Sequence, residues 1–500
     1  MTEVVDILIL GSGFGGSLLA AIARQLGRSV VLVDRASHPR FAVGESSTPL
    51  ADQTLAELAR TYDLPELLPL TNYDAWRRLL PQLGCGAKQG FSYFGHQPHT
   101  DFDPAAQLLV AARETALAAD THWLRSDVDQ FIFQRAQTCG AQTHENAVYQ
   151  LQQTDRGWKC TGTAADGDFA VEGAFVVDAT GRAGEVLRTL DIADTTHELA
   201  THSHAVFAHF QGVDSVGCVM DDLQVDRTRH PFLCDDAAVH HVLSEGWMWQ
   251  LRFCDDTLSA GLTSQRKITD ASVWRQTIDD HPFLQRQFRR ARIIRPGNAL
   301  VGTGRIQFLK AQAAGPTWAA LPSSVGFIDP LHSTGIAHTL FAVRRIASHW
   351  QSPDAHWWDR YSQTLRQELR HIDQLVAGCY HALPSFRLWS DWCMLYFAVV
   401  TSAEARAEES PGCAADDALG PSFLQADDGQ LATVIAQARR WLEDCRNAGS
   451  TDAACELFET RLRDAIGPWN HVGLLPVERP QFYKSTACPF VDPFTAKTSD

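Results

Sequence analysis

Two widely separated runs hold residues whose types and spacing can do chemistry. Near the start stands Asp6-Ile-Leu-Ile-Leu-Gly-Ser-Gly-Phe-Gly-Gly16, and far downstream Gly326-Phe-Ile-Asp-Pro-Leu-His-Ser-Thr-Gly335. The first contains Gly11-x-Gly13-x-x-Gly16 between an apolar run and a helical pattern. Gly11 permits a tight turn, Gly13 lets the backbone approach a pyrophosphate, and Gly16 lets the helix pack closely on the strand. The pyrophosphate then meets the positive end of the helix, near Phe14. Asp34, followed by Arg35, closes the next apolar run, where an acid accepts ribose hydroxyls. This constellation predicts a bound dinucleotide. A glycine-rich turn without a ligand is the competing reading.

The elements that must hold these residues follow from apolar periodicity. Val4–Leu10 reads as a buried parallel strand, Ser17–Leu26 as a helix and Ser29–Val33 as the second strand of a βαβ unit. Residues 51–80 read as helices with polar loops. Phe91–Phe94 alternates like a strand, Val128–Gln137 is helical, and Phe175–Val177 is a buried strand ending in Asp178-Ala-Thr-Gly-Arg182. The segment 200–300 is rich in strand patterns, Gly246–Phe253 being the clearest. Beyond about 336 the pattern turns helical, and Trp392–Val400 suits a buried helix turn. Ala403–Pro421, rich in Glu, Asp, Ala, Gly and Pro, reads as a surface loop. The predicted class is α/β. A Rossmann-like nucleotide-binding core occupies residues 1–350, non-contiguous, with a sheet-rich insertion at about 200–300. A helical region, 351–500, covers the substrate site.

Composition narrows the function classes. A 500-residue chain that is 45% hydrophobic and 20% charged fits a globular enzyme of two or three fused lobes. The net charge of −16 argues against nucleic acid and against electrostatic membrane binding. No run reaches the length of a membrane span, and the chain enters its first strand without a signal peptide. Twelve cysteines without C-x-x-C spacing predict reduced thiols in a cytoplasm. His202-x-His204 and His240-His241 have no partner at a telling spacing, so no metal is expected.

Further segments favour FAD over NAD. His38-Pro-Arg-Phe-Ala-Val-Gly-Glu-Ser-Ser47 and Asp178–Arg182 resemble segments of flavoproteins that hold FAD extended across the core. Gly302-Thr-Gly304 is only a fragment of a second nucleotide fingerprint. With these motifs in order, and with Cys85-Gly-Ala-Lys-Gln-Gly-Phe-Ser92, Leu124-Arg-Ser-Asp-Val-Asp129, Gly246-Trp-Met-Trp249, the 326–335 run and the helical stretch Asp373–Trp392, the chain resembles the flavin-dependent halogenases. The likeness is to those acting on phenolic or other electron-rich aromatic rings, and it spans most of the chain. It implies that the Rossmann-like core is FAD-binding, of the GR2 type, and that the 200–300 insertion holds the substrate.

The resemblance implies that FAD, used as FADH2, reacts with O2 and a chloride or bromide ion to give hypohalous acid. That acid reaches a lysine, which directs it onto the substrate ring. Lys88 matches that lysine. Only six lysines stand beside 37 arginines, and Lys88 lies between Gly86 and Gly90 in an apolar, aromatic stretch. A solvated strand lysine is the alternative. By the same resemblance Arg35, Arg40, Glu45, Ser46, Ser47, Arg125, Asp178, Gly181, Asp329, Gly335 and Ile336 contribute to the flavin site. Thr334 and Gly335 hold halide through backbone N–H groups. A separate flavin reductase supplies FADH2.

Two departures stand out. His332 replaces the glutamate of tryptophan-type halogenases, either as a substitute base or as a packing residue under the flavin. The W-x-W-x-I-P motif keeps Trp247 and Trp249 but has Leu251 and Arg252 where isoleucine and proline stand. An aromatic hydroxylase of the same fold, and less readily an FAD-dependent reductase of an apolar substrate, are the rival activities.

Overall fold

In the computed structural model, residues 2–267, 271–351, 356–409 and 419–486 are described. The nucleotide layer is an eight-stranded sheet in which Trp318–Ala320, Gly167–Asp178, Glu3–Leu10, Val30–Val33 and Gln142–His144 lie side by side in parallel. Val30–Val33 is buried at every position, as a parallel strand covered on both faces requires. Register does the positioning. Leu10 pairs with Val33 on one side and with Asp178 on the other. The residues that follow, Gly11, Asp34 and Ala179, therefore emerge at one edge. Helix Phe14–Gln25 starts there, its apolar face fully buried.

A second sheet of nine strands runs from Arg292–Arg295 through His204–Gln211, Leu258–Ser264, Gly246–Arg252, Ala238–Val242, Gly90–Gly95 and Gln107–Ala111 to Phe482–Tyr483. A two-stranded ladder, Cys85–Lys88 against Asp120–Trp123, lies between the layers. Long helices follow: Thr334–Gln351, Trp357–Ala382, Phe386–Glu409, Gly429–Asn447 and Asp452–Ile466. One continuous apolar core runs from the nucleotide sheet into these helices. At Gly378 the helix has no side chain, and a Cβ there would lie 1.8 Å from the Trp392 ring, so glycine lets two helices close on a tryptophan.

Three expectations change. The 200–300 segment also holds helices Val216–Asp222, Ser272–Asp280 and Pro282–Phe288. The antiparallel pair Val148–Thr154 and Gly157–Ala164 was not anticipated, because its first strand is Gln- and Thr-rich and mostly exposed. Ala403–Pro421 is not wholly a surface loop. The helix continues to Glu409, with Glu404 buried, and the carbonyls of Leu419 and Pro421 accept hydrogen bonds from the buried Arg345. Residues 410–418 lie outside the described residues. Gly302–Gly304 sits inside the strand Val301–Arg305, so it forms no second nucleotide turn.

Candidate active site

The glycine turn is dictated by crowding. Gly11 has φ +98°, and a Cβ on it would lie 2.3 Å from the Ala179 carbonyl. A Cβ on Gly16 would lie 2.1 Å from the carbonyl of Gly11, so helix and strand pack at backbone contact. Gly13 caps the helix without a side chain, leaving its first N–H groups facing outward. Two guanidiniums approach this helix start: a Cβ on Gly13 would be 3.9 Å from Arg125 and 4.0 Å from Arg40. Each is matched by a carboxylate. Arg40 pairs with Asp34 at 2.6 Å, and Arg125 makes a bidentate pair with Asp129 at 2.7 and 2.9 Å. Burial raises the Asp34 carboxyl, but Arg40 and the Ser12 and Ala36 amides more than offset this and leave it below its ordinary value.

Not every predicted residue converges here. Arg35 points to the sheet surface, paired with Glu185 at 2.7 Å and lying over Tyr149. Asp178 turns inward, where its carboxylate accepts from Thr180 and the Val186 amide and holds the turn. Gly181, at φ +63°, donates its N–H to Ser324.

The loop Val43–Ser47 leads from the nucleotide edge toward Lys88. Arg125 fixes its start by donating to the carbonyls of Val43 and Gly44, both at 3.1 Å. Its end runs along the Asp120–Trp123 strand, with Trp123 N bonded to Glu45 O at 2.6 Å and Ser47 N to Thr121 O at 3.0 Å. Glu45 is buried, with Oε1 2.8 Å from His209 Nε2, while Glu45 Oε2 and Ser46 Oγ are buried with no hydrogen-bond partner among the described residues. A ligand with polar ring edges satisfies such atoms; an apolar packing partner does not. Pro39, Arg40, Phe41, Ala42, His209 and Arg295 line a neighbouring cleft of about 250 Å³.

The downstream run forms the other wall. His332 and Ser333 both adopt left-handed backbone, at φ +67° and +57°, immediately before helix Thr334–Gln351. Two such residues in succession are costly, by roughly 1–3 kcal/mol each, and concentrate at functional sites. They lead into the helix start, where Thr334 is buried and Gly335 faces open space, since a Cβ on Gly335 would meet nothing. Ile336 is buried behind it. Asp329 shapes the turn from inside. It accepts from Tyr380 at 2.8 Å, from Ser203 at 3.1 Å and from the Leu331 amide at 3.1 Å. Burial pushes its carboxyl up to about 6. The glycines, the helix start and the orphaned polar atoms of the Glu45–Ser46 segment together fit a flavin.

Lys88 is not a solvated lysine. It is fully buried at the end of its strand, opposite Asp120 in the ladder. Its ammonium donates to Ser47 O at 2.6 Å and lies 4.3 Å from the centre of the Phe91 ring. Burial pulls the amine below its ordinary value against the opposing pull of Asp120, Asp52 and Glu404. Beyond it, Phe91, Tyr93, His240, Trp247, Phe397 and His332 form a chain of ring contacts.

The strand Gly246–Arg252 supports this region from behind. Trp249 lies flat on its neighbour because Gly261 has no side chain; a Cβ there would be 2.1 Å from the ring. Trp247 Nε1 donates to the Tyr380 hydroxyl at 3.2 Å, linking the strand to the Asp329 turn. Arg252 neither faces solvent nor reaches outward. It donates to Val213 O at 3.1 Å and sits 3.4 Å from Asp235.

His332 is buried, stacked on Tyr396 at 3.8 Å between ring centres, with Nε2 3.5 Å from Cys379 Sγ. Burial holds it well below its ordinary value. That environment supports packing over base chemistry. His332, Cys379 and Cys393 place their ligating atoms within 4.8 Å of one another, a grouping that no sequence spacing announces. Burial drives the Cys379 thiol far up, which keeps it protonated. The sequence also gave no sign of Asp52, Asp120 and Arg113 around Lys88, which come from three separate segments.

The tryptophan halogenase family model matches residues 111–391. Monodechloroaminopyrrolnitrin halogenase PrnC of Pseudomonas fluorescens is 28% identical over 414 residues, spanning 78% of this chain and 70% of its own. Tetracycline 7-halogenase of Kitasatospora aureofaciens is 27% identical over 411 residues, spanning 77% and 71%. Among solved structures, halogenase PltM in complex with phloroglucinol and FAD matches with a TM-score of 0.85 at 24% identity, over 96% of this chain and 99% of that one.

Proposed function

This chain belongs to the tryptophan halogenase family, and from that premise we propose that Lys88 directs halogenation of an electron-rich, phenolic ring. That the protein is a flavin-dependent halogenase using FAD on an aromatic substrate follows from its family and relatives. Bound and reduced, FAD supplies hypohalous acid from O2 and halide. Gly11, Gly13, Phe14, Gly16, Asp34, Arg40 and Arg125 would hold the dinucleotide. Glu45, Ser46 and Ser47 would line the path from the flavin to Lys88. The amide groups of Thr334 and Gly335 would hold chloride or bromide at the helix start.

The observation that carries the role of Lys88 is its complete burial beside aromatic rings, with a single backbone carbonyl as hydrogen-bond acceptor. A desolvated amine reaches its neutral form more readily. It can then hydrogen-bond hypohalous acid, or exchange N–H for N–X with release of water. The ring attacks the halogen, the N–X electron pair returns to nitrogen, and the ring loses a proton. A phenol suits this step because its oxygen donates electron density to the ring without help from a carboxylate at position 332. PltM, solved with phloroglucinol, offers a phenol as precedent. A separate flavin reductase, and a cytoplasmic setting that gives it NADH, complete the reading. No described helix is long and apolar enough to cross a membrane.

The test supplies FAD, a flavin reductase, NADH, O2, bromide and a panel of phenols. Brominated product is expected from the parent protein and at least a hundredfold less from Lys88→Ala with FAD still bound. Hydroxylated product at an unchanged rate in Lys88→Ala would establish the hydroxylase instead.

A further inference from the structure

Three carboxyls, Lys88 and Arg113 meet in one buried cluster. Asp120, directly across the ladder from Lys88, has Oδ1 3.3 Å from Arg113 Nε. Asp52, from helix Pro49–Thr61, accepts the Ser47 hydroxyl on Oδ1 at 2.6 Å. Ser47 in turn accepts the Lys88 ammonium on its carbonyl. Glu404 reaches the same cluster from helix Phe386–Glu409 and acts on both Lys88 and Arg113. Asp52 and Asp120 are 4% and 1% exposed, and the Oδ2 atom of each is buried without a hydrogen-bond partner among the described residues.

Two buried acceptors without donors would each cost about 1–3 kcal/mol. Asp120 stands within side-chain hydrogen-bond reach of Asp52, so one proton shared between them resolves both. Carried on Asp52 Oδ2, it is donated to Asp120 Oδ2, while Asp120 keeps its charge against Arg113 and Lys88. The alternative placement, on Asp120, would remove the charge opposite Arg113. With the proton on Asp52, the pair presents one charge rather than two to Lys88 and Arg113. Burial and the adjacent Asp120 charge both drive the Asp52 carboxyl well above its ordinary range, in agreement with this assignment.

We propose that Asp52 and Asp120 form a proton-sharing carboxyl pair whose single charge, on Asp120, holds the buried Lys88 amine in place and sets the pH at which it becomes a neutral nucleophile. They are positioning residues, acting through Lys88. The inference rests on the halogenase reading for its catalytic meaning, but the pair itself is a property of the folded chain. The other groups around Lys88 do not share its titration. Arg113 stays charged, and burial holds His122 and His240 down at about 3. An acid in the first turn of a helix is otherwise a dipole partner, but a neutral carboxyl has no such role.

Two substitutions separate charge from shape. Asp120→Asn removes the charge; burial is then less opposed, so the Lys88 midpoint should fall by at least one pH unit. The acid limb of the halogenation rate should shift down with it. Asp52→Asn mimics the protonated carboxyl and still donates to Asp120, so the midpoint should stay within about 0.3 unit and the rate within twofold. Asp52→Ala leaves Asp120 without its donor and should lower the rate about tenfold with FAD still bound. Lys88 is read directly by NMR titration of protein carrying 13Cε-lysine, where six resonances are expected and Lys88→Ala assigns one. An unmoved Lys88 midpoint in Asp120→Asn, or Asp52→Asn shifting it as far as Asp120→Asn does, overturns the pair. Should Asp120→Asn fail to fold, the Asp52→Asn and Asp52→Ala contrast decides: equal rates in these two overturn it. If the parent protein makes no halogenated product while Asp120→Asn still lowers the midpoint, the halogenase reading fails and the pair stands.

Discussion

Glu368 shows what a single buried charge does in this chain. It is wholly buried and receives two hydrogen bonds from Arg345, at 2.7 and 3.0 Å, one from the Phe423 amide at 2.6 Å, and a contact with His338 at 3.0 Å. Burial raises its carboxyl, but Arg345 and His338 prevail and bring it down from 4.5 to about 2. Because the folded value lies below the unfolded one, the stability it contributes is complete above about pH 4.5. It is lost as pH falls toward 2, so urea midpoints should decline across that window more steeply in the parent than in Glu368→Gln. Glu368→Ala takes the carboxylate from the Arg345 guanidinium and should cost about 3–5 kcal/mol at pH 7. An unchanged midpoint would show that the pair contributes nothing. At this scale the sequence was informative where type and position coincide. Lys88 stood out as a rare lysine between glycines in an aromatic stretch. Glu368, Asp52 and Asp120 did not, because an acid in a helical or strand pattern normally faces water, and only tertiary packing brings them inside.

Between elements, close backbone approach is the recurring device, and the short strand Cys85–Lys88 depends on it. A Cβ on Gly86 would lie 2.0 Å from the Arg252 carbonyl oxygen, and Cys254 N donates to Cys85 O at 2.8 Å. The strand that ends in the lysine is thus laid against the end of the tryptophan strand. This gives the altered motif a physical role: Arg252 is tied to Asp235 and Val213 and presents its carbonyl to Gly86. Gly86→Ala must push the two strands apart, at a cost of about 1–3 kcal/mol. It should also displace Lys88 and lower halogenation about tenfold, while FAD binding, proposed to rest on the glycine turn, stays near parental. Equal loss of FAD binding and product would mean that the ladder supports the whole fold rather than the lysine. The parallel βαβ start was legible because its apolar runs and glycines are local. The link between residues 86 and 252 was not, since nothing in either segment names its partner. The exposed Gln-rich strand Val148–Thr154 escaped for a different reason: it lacks the apolar alternation that reveals a strand.

Across the whole molecule, the boundary expected near residue 350 does not divide the apolar core. The Trp357–Ala382 helix supplies Tyr361, whose hydroxyl donates to Ala320 O at 2.9 Å, and Ser362, which accepts the Ala313 amide at 2.9 Å. Both bonds end on the segment that carries the last parallel strand of the nucleotide sheet. Asp373 receives the Ala200 and Thr201 amides at 2.8 and 2.9 Å, and Tyr380 holds Asp329 under the turn that leads to Thr334. Leu365, Leu369, Ile372, Leu375, Val376, Trp389, Trp392 and Leu395 join the same core as Leu321, Val325 and Leu340. Each such side chain is worth about 1.5–3 kcal/mol when buried. Removing half a dozen, together about 9–18 kcal/mol, is therefore comparable to the roughly 5–15 kcal/mol that a domain has in hand. A fragment of residues 1–350, although it contains every predicted dinucleotide contact, should lack a cooperative thermal transition. It should also fail to quench FAD fluorescence at concentrations where the full chain is saturated. A cooperative fragment that binds FAD normally would show that the nucleotide layer is self-sufficient, with the helices serving only to roof the substrate. The reverse result would mean that the turn presenting Thr334 and Gly335 is held in its strained left-handed form by the same helices that enclose the ring chemistry.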